Sequence, residues 1–158
     1  MNTENSNSAN KVKPIPDGFH TITPFLIVSQ AEMLMEFIKN AFNGHVTSLM
    51  RHDDGRIMHA TMTIGDSNLM LSDASEHYGP MQAMLHLYVE DVDQVYRQAL
   101  QARGESLREP TNEFYGDRSA GIRDPWGNQW WIATHVEDVS EEDMMKRSEE
   151  FRTQQVNS

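Results

Sequence analysis

The fold is decided by the stretch GIRDPWGNQWWIATH, residues 121–135, in which a tight turn leads into an aromatic strand. Within Asp124-Pro125-Trp126-Gly127, the proline presets the backbone φ of the second turn position and the aspartate side chain can cap the turn. Residues Gln129–Thr134 are aromatic and β-branched, which favours a strand. All three tryptophans of the chain lie in this stretch. We therefore expect this hairpin to anchor a core.

Length and charge limit the class of protein. The 158 residues suit one domain, which can bury about two-thirds of its unfolded surface. A net charge of −11 argues against nucleic acid or an anionic membrane as partner, because phosphates would be repelled. The absence of cysteine excludes disulfides and thiolate sites. With no secretory signal and no apolar run of about 20 residues, we expect a cytoplasmic protein.

A series of strand and helix patterns occurs twice along the chain. The first series predicts a strand at Ile22–Val28, a helix at Ala31–Asn43, and strands at Val46–Arg51, Ile57–Ile64 and Asn68–Ser72. The second predicts a strand at Met84–Val89, a helix at Val92–Ala102, and strands near Ser106, at Asp117–Arg123 and at Gln129–Thr134. Val28 corresponds to Val89 at a shift of 61 residues, and the closing strands keep the same shift. This indicates a duplicated β-α-β-β-β module.

The expected organisation has three parts. A disordered tail spans residues 1–17, a single domain spans 18–139, and a helix with its tail spans 140–158. The two modules of the domain cover about residues 20–73 and 83–136.

Several further stretches carry a resemblance to a known family. They are ITPF at 22–25, GRIMHA at 55–60, LHLYVEDVD at 85–93, YGDR at 115–118 and ATHVEDV at 133–139. Together with the Asp-Pro-x-Gly turn, they resemble the PhnB-like branch of the glyoxalase/bleomycin-resistance group, in the vicinal oxygen chelate superfamily. The resemblance covers Ile22 to about Arg147. It implies an α+β fold in which two β-α-β-β-β modules form a cup-shaped sheet, and a homodimer.

The resemblance also implies where a metal would lie. Metal-using members place one ligand on the first strand and one on the last strand of each module, as His or Gln and then Glu. Alignment carries these positions onto Thr23, Met70, Met84 and Trp131. None of these side chains is a carboxylate or an imidazole, so we expect no metal at the usual position and no cofactor.

Strand alternation selects the side chains that would line the cup. Leu85, Leu87 and Val89 are expected to pack on the helices, which leaves His86 and Tyr88 towards the cup. By the same alternation, we expect His59 to face the cup. The side chains expected to face the helix are Met58, Ala60, Met62 and Ile64. The candidate ligand-binding residues are His59, Met70, Met84, His86, Tyr88, Tyr115, Arg118 and Trp131.

Each candidate has a structural alternative. His59 and His86 are either acid–base groups or ligands of a displaced metal site, or they are buried structural histidines. Arg118 either holds an anionic group of the ligand or pairs with Asp117 or another acid. The loop Glu109–Gly116, with Tyr115, is either a lid or a cover for the open end of a sheet.

Three functions remain open from the sequence. The leading one is a small-molecule-binding protein without the usual metal site, which takes an apolar or aromatic ligand in the cup. The first alternative is a metal-dependent glyoxalase-like lyase or isomerase that uses His59, His86 and an acid that is not placed. The second is a module that binds a protein through its acidic tail and the cup rim.

Overall fold

The computed structural model describes residues 12–156, so most of the expected N-terminal tail lies outside the described residues. The strands are β1 Phe25–Val28, β2 His45–Arg51, β3 Ile57–Ile64, β4 Ser67–Asp73, β5 Met84–Tyr88, β6 Glu105–Asn112, β7 Asp117–Arg123 and β8 Gln129–His135. The helices are α1 Ala31–Phe42, α2 Val92–Gln101 and α3 Glu141–Val156. The predicted α+β fold with two β-α-β-β-β modules is confirmed. None of the described helices is long and apolar enough to cross a membrane.

Both modules form the same mixed sheet. The strand orders are β1-β4-β3-β2 and β5-β8-β7-β6, and in each sheet the first strand runs parallel to the last. Phe25 pairs with Met70 in the first sheet, and His86 pairs with Trp131 in the second. Both members of the second pair lie 61 positions after their counterparts in the first. The duplication predicted from the sequence is therefore present in the strand registers.

The last strand of each module also holds the start of its helix. The Asp73 carboxylate accepts hydrogen bonds from the amides of Ala31, at 2.9 Å, and Ile57, at 2.6 Å. At the equivalent position in the second module, the Thr134 hydroxyl accepts from the Val92 amide at 2.9 Å. The bonds to Ala31 and Val92 satisfy helix N-terminal amides that have no partner inside the helix. Each helix is thereby fixed against the sheet of its own module.

The two modules meet through their helices. α1 packs against α2, and no other described helix or strand backbone of one module approaches an element of the other. The Phe42 ring at the end of α1 lies 4.7 Å from the ring of Trp130, which is fully buried. The helix-facing sides of both sheets therefore share one core. We call the opposite side of each sheet its cup face.

A bulge in the first sheet corrects the sequence-based orientation of Met58. Met50 pairs with His59 but Arg51 pairs with Ile57, so one extra residue is accommodated in β3. Ile57 enters the core with 1% exposure, and Met58 is 42% exposed. The prediction that Met58 packs on the helix is therefore wrong, because the bulge shifts the alternation at this end of the strand.

The edge strand β6 is longer than the sequence indicated. It runs from Glu105 to Asn112 and includes Pro110, which an edge strand tolerates because one side of its backbone pairs with no other strand. Its pairing with β7 shifts register between Arg108 and Thr111. The expected loop Glu109–Gly116 is thereby shortened to residues 113–116.

The Asp124 carboxylate of the turn is buried, and both of its oxygens accept hydrogen bonds. One carboxylate oxygen accepts from the amides of Trp126 and Asn128, each at 2.9 Å. The other accepts from Asn128 Nδ2 at 2.8 Å and from Trp130 Nε1 at 2.9 Å. Asn128 Oδ1 then accepts from the Ala83 amide at 2.9 Å, immediately before β5. This network joins the turn to both parallel strands of the second sheet.

We expect Asp124→Ala to lower the free energy of unfolding by roughly 3 kcal/mol or more, because it leaves several buried donors without an acceptor. Urea denaturation measures the loss. Asp54→Ala is the matched control, since Asp54 also accepts a turn amide but is exposed. The control should change stability by about 0.5 kcal/mol at most. Equal losses in the two variants would contradict the role of the buried network.

Candidate functional site

The cup face of the second sheet brings together four residues that the sequence selected. Met84, His86 and Tyr88 alternate along β5, and His86 pairs with Trp131 on β8. Met84 is 69% exposed and Tyr88 is 67% exposed, whereas Trp131 is half-buried. The His86 and Tyr88 rings meet edge to face at 4.9 Å. This group, Met84, His86, Tyr88 and Trp131, is called the aromatic patch.

A carboxylate fixes one end of the aromatic patch. The Tyr88 hydroxyl donates to Asp117 Oδ2 at 2.9 Å, and His135 Nδ1 lies 2.8 Å from Asp117 Oδ1. Asp117 is 4% exposed, so this carboxylate is buried at the base of the face. The second ring nitrogen of His135 lies 2.9 Å from Asp138. An imidazolium satisfies both carboxylates, because it donates from each nitrogen.

These contacts shift two pKa values upwards. The hydrogen bond to Asp117 raises the pKa of Tyr88, so the side chain presents a phenol rather than a phenolate. The hydrogen bonds to Asp117 and then Asp138 raise the pKa of His135 above its ordinary value, in spite of partial desolvation. His135 is therefore held between two carboxylates at the end of β8.

A cluster that sequence reasoning missed lies beside Trp131. Arg108 on β6 contacts Glu113, and its Nη2 donates to the Ser119 hydroxyl at 2.6 Å. Ser119 in turn donates to Glu113 at 3.0 Å. The Arg108 guanidinium carbon lies 5.3 Å from the centre of the Trp131 ring, a cation–π distance. This cluster was not predictable from the sequence, because the segment from Glu109 was expected to be a loop and the strand was placed only near Ser106.

Arg118 lies on the other side of the sheet. Its Nε and Nη2 donate to the two carboxylate oxygens of Asp93 on α2, at 2.7 and 2.8 Å. This ion pair lowers the pKa of Asp93. Of the two alternatives for Arg118, the ion pair with another acid is the one observed, and Arg118 is not part of the cup face.

Tyr115 belongs to a short loop that is held in place. The Gly116 carbonyl accepts from the amides of Val136 and Glu137, at 2.9 and 3.0 Å. A side chain at Gly116 would begin 2.1 Å from the Glu137 carbonyl oxygen, so glycine is required for this close approach. The neighbouring Phe114 ring contacts both Tyr115 and Phe151 of α3, each at 5.3 Å. These contacts favour a cover for the sheet end over a mobile lid.

The first sheet carries the remaining two candidates on its own cup face. Met70 is half-buried and pairs with Phe25, whose ring lies 5.8 Å from His59. The far end of this face forms a cleft of about 500 Å³ under residues 17–19. His59 and His86 lie on different sheets, whose described strands do not approach each other. One chain therefore does not bring the two histidines together.

The side chains at the usual metal positions do not fit a divalent ion. Thr23 offers a hydroxyl, Met70 and Met84 offer thioethers, and Trp131 offers an indole N–H that donates to Gln129. Among residues 12–156, no three His, Asp or Glu side chains are placed to hold a metal together.

The raised pKa of His135 predicts a pH-dependent stability. A raised pKa in the folded state contributes stability that is present below the unfolded pKa and is lost as pH rises through the folded pKa. His135→Asn should therefore lower the melting temperature more at about pH 5.5 than at about pH 9. His77→Asn serves as control, since His77 is exposed and has no hydrogen-bond partner among the described residues. A loss from His135→Asn that is the same at both pH values would contradict the ionic role.

Comparison with known proteins agrees with this architecture. The sequence model of the Glyoxalase/Bleomycin resistance protein/Dioxygenase superfamily matches residues 18–132. An uncharacterized protein of Mycobacterium bovis is 26% identical over 130 residues, which cover 75% of this chain and 86% of that protein. The crystal structure of TioX from Micromonospora sp. ML1 superposes with a TM-score of 0.61 at 18% identity, over 73% of this chain and 99% of that chain.

A PhnB protein from Bacillus cereus superposes with a TM-score of 0.57 at 22% identity, over 73% of this chain and 99% of that chain. At these identities the structural neighbours establish a shared fold. The family match covers most of the chain and includes both modules. The chain therefore belongs to the glyoxalase/bleomycin resistance protein/dioxygenase superfamily, and PhnB-like proteins are among its structural neighbours.

Proposed function

We propose that this chain is a small-molecule-binding protein that takes an apolar or aromatic ligand in its cup, without a metal at the superfamily's usual position. The observation that carries the proposal is the aromatic patch on the cup face of the second sheet. Met84 and Tyr88 are each about two-thirds exposed although their side chains are large and apolar. An exposed group of this kind commonly marks a binding surface.

The chemistry of the patch suits a flat apolar ligand. Tyr88 and Trp131 supply ring surfaces, and Met84 supplies a flexible, polarisable side chain that adapts to irregular shapes. Asp117 fixes the Tyr88 hydroxyl. The ring is thus ordered before a ligand arrives, which reduces the entropy cost of binding. His59 and Met70, on the cup face of the first sheet, are the proposed opposite wall.

The proposal includes a homodimer in which each cup is built from two modules. Within one chain the modules pack through α1 and α2, and the described strands of the two sheets stay apart. A second copy can place its first sheet opposite the aromatic patch, and two-fold symmetry then forms two equal cups. The proposal further includes a cytoplasmic location and no nucleic-acid or membrane partner, since the net charge of −11 repels phosphates.

The metal-dependent lyase or isomerase is the alternative in this proposal. It requires His59 of one copy to lie close to His86 of another copy. A carboxylate would also be needed to complete the metal site. His59 lies 3.4 Å from the Thr61 hydroxyl and packs beside Phe25, whereas His86 packs against Tyr88. Neither has a carboxylate neighbour among the described residues, so the contacts do not favour this alternative.

Fluorescence titration with N-phenyl-1-naphthylamine, a neutral aromatic probe, tests the function. We expect saturable binding by the full-length protein, and Trp131→Ala should weaken it at least about 10-fold, equivalent to about 1.4 kcal/mol. Trp126→Phe is the matched control, because Trp126 packs against the core rather than on the cup face. Binding should be unchanged by EDTA.

The same titration separates the alternatives. An absence of saturable binding, or equal binding by the Trp131 variant, would contradict the proposed function. Loss of binding on addition of EDTA, with recovery on addition of Zn²⁺ or Ni²⁺, would favour the metal-dependent enzyme.

Light scattering tests the assembly. We expect a mass close to twice the 18.1 kDa of one chain at micromolar concentration, because the cup is incomplete in a single copy. A mass of one chain under these conditions would contradict the homodimer, and the cup would then need to form without a second copy.

A further inference from the structure

We propose that Arg108 is the anion-recognising residue of the cup, and that the ligand is an aromatic carboxylate or a similar flat anion. Its ring would contact the aromatic patch, and its anionic group would accept hydrogen bonds from the Arg108 guanidinium. This inference rests on the proposed function. It adds that the ligand is negatively charged and that Arg108 binds its charged group.

The hydrogen-bonding capacity of Arg108 is incompletely used. Its Nη2 contacts Glu113 and Ser119. Its Nη1 has no hydrogen-bond partner among the described residues and is not buried, and its buried Nε has no partner either. Most polar groups of a half-buried arginine find a partner in a folded protein. The accessible Nη1 of Arg108 is therefore the donor that remains for an acceptor supplied by a ligand, and a planar oxyanion matches a guanidinium best.

The guanidinium is held in position rather than free in solvent. Glu113 has only 11% of its side chain exposed and Ser119 is 2% exposed, so both partners are part of the folded interior. Arg108 itself keeps 41% of its side chain exposed. It is also held beside the Trp131 ring, by an interaction that favours a cation at this place. A charged donor fixed next to an aromatic wall is a preorganised recognition element.

The other charges on this face also have partners. Asp117 is compensated by His135 and by the Tyr88 hydroxyl. Arg123, further along the same face, pairs with Glu105 at 3.2 Å. Arg118, which the sequence suggested for this task, is engaged with Asp93 on the opposite side of the sheet. Arg123 uses only its Nη1 in that pair, but its partner Glu105 is exposed. Arg108 is the cation of the described cup face that is held against the Trp131 ring, and it would be shared between Glu113 and the ligand.

A matched pair of probes tests the inference on the full-length protein. 2-Naphthoate carries a carboxylate, and 2-naphthalenemethanol has the same ring system without charge. We expect the wild-type protein to bind naphthoate at least about 10-fold more tightly than the alcohol, because a hydrogen bond to a charged group exceeds a neutral one. Isothermal titration at low salt measures both affinities.

Four variants test whether Arg108 causes the preference for naphthoate over the alcohol. Arg108→Gln should abolish it, by lowering the affinity for naphthoate to about that for the alcohol. Glu113→Gln should strengthen naphthoate binding several-fold, because it removes the carboxylate that competes for the guanidinium. A purely structural Arg108 would not give this gain. Arg118→Gln, the matched control, should retain the preference. If Arg108→Gln fails to fold, Arg108→Gln/Glu113→Gln removes both charges together and should also lose the preference.

The outcomes distinguish this inference from the proposed function. Equal wild-type affinity for the two probes, or a preference that survives in the Arg108 variants, would overturn the inference and leave the proposed function in place. A failure of both probes to bind would count against both. An unchanged or weaker affinity of the Glu113 variant for naphthoate would also overturn the inference.

Discussion

The Asp124 carboxylate is the constraint on which the rest of the structure depends. It is buried, and each of its two oxygens accepts two hydrogen bonds. One of the donors is the indole of Trp130, whose ring packs on Phe42 of the first module. Asn128, also bound to Asp124, holds the chain before β5. A single turn therefore orders the parallel strands of the second sheet and orients the largest side chain of the interface between the modules.

The packing of α1 on α2 determines which surfaces remain for function. Each sheet gives one face to the shared core, so binding is confined to the two cup faces. The modules have the same strand registers but different side chains at equivalent positions. The pair Met70 and Phe25 in the first sheet corresponds to the pair Trp131 and His86 in the second sheet. The duplication thus conserves the framework, while the chemistry of the cup comes from the side chains that differ.

Much of the candidate site was predictable because a strand has a period of two. Alternation places Met84, His86 and Tyr88 on one face, and the structure has them there. Arg118 and Arg108 were not predictable in this way. The residues around Arg118 have no clear apolar alternation, and the register of β6 shifts between Arg108 and Thr111. Where the apolar alternation is weak or a bulge interrupts the strand, the side of the sheet on which a residue lies depends on its pairing with the neighbouring strand.

The sequence by itself determined the duplicated module, the order of its strands and helices, and the Asp-Pro-Trp-Gly turn. These features follow from neighbouring residues, through turn chemistry, periodicity and a repeat at constant spacing. The tertiary structure alone decided the joining of the modules through their helices and the entry of Ile57 into the core in place of Met58. It also decided the bond of Tyr88 to Asp117 and the position of Arg108 beside Trp131. Each of these contacts joins residues that are separate along the chain, and their energies depend on burial and geometry that exist only after the sheets have formed.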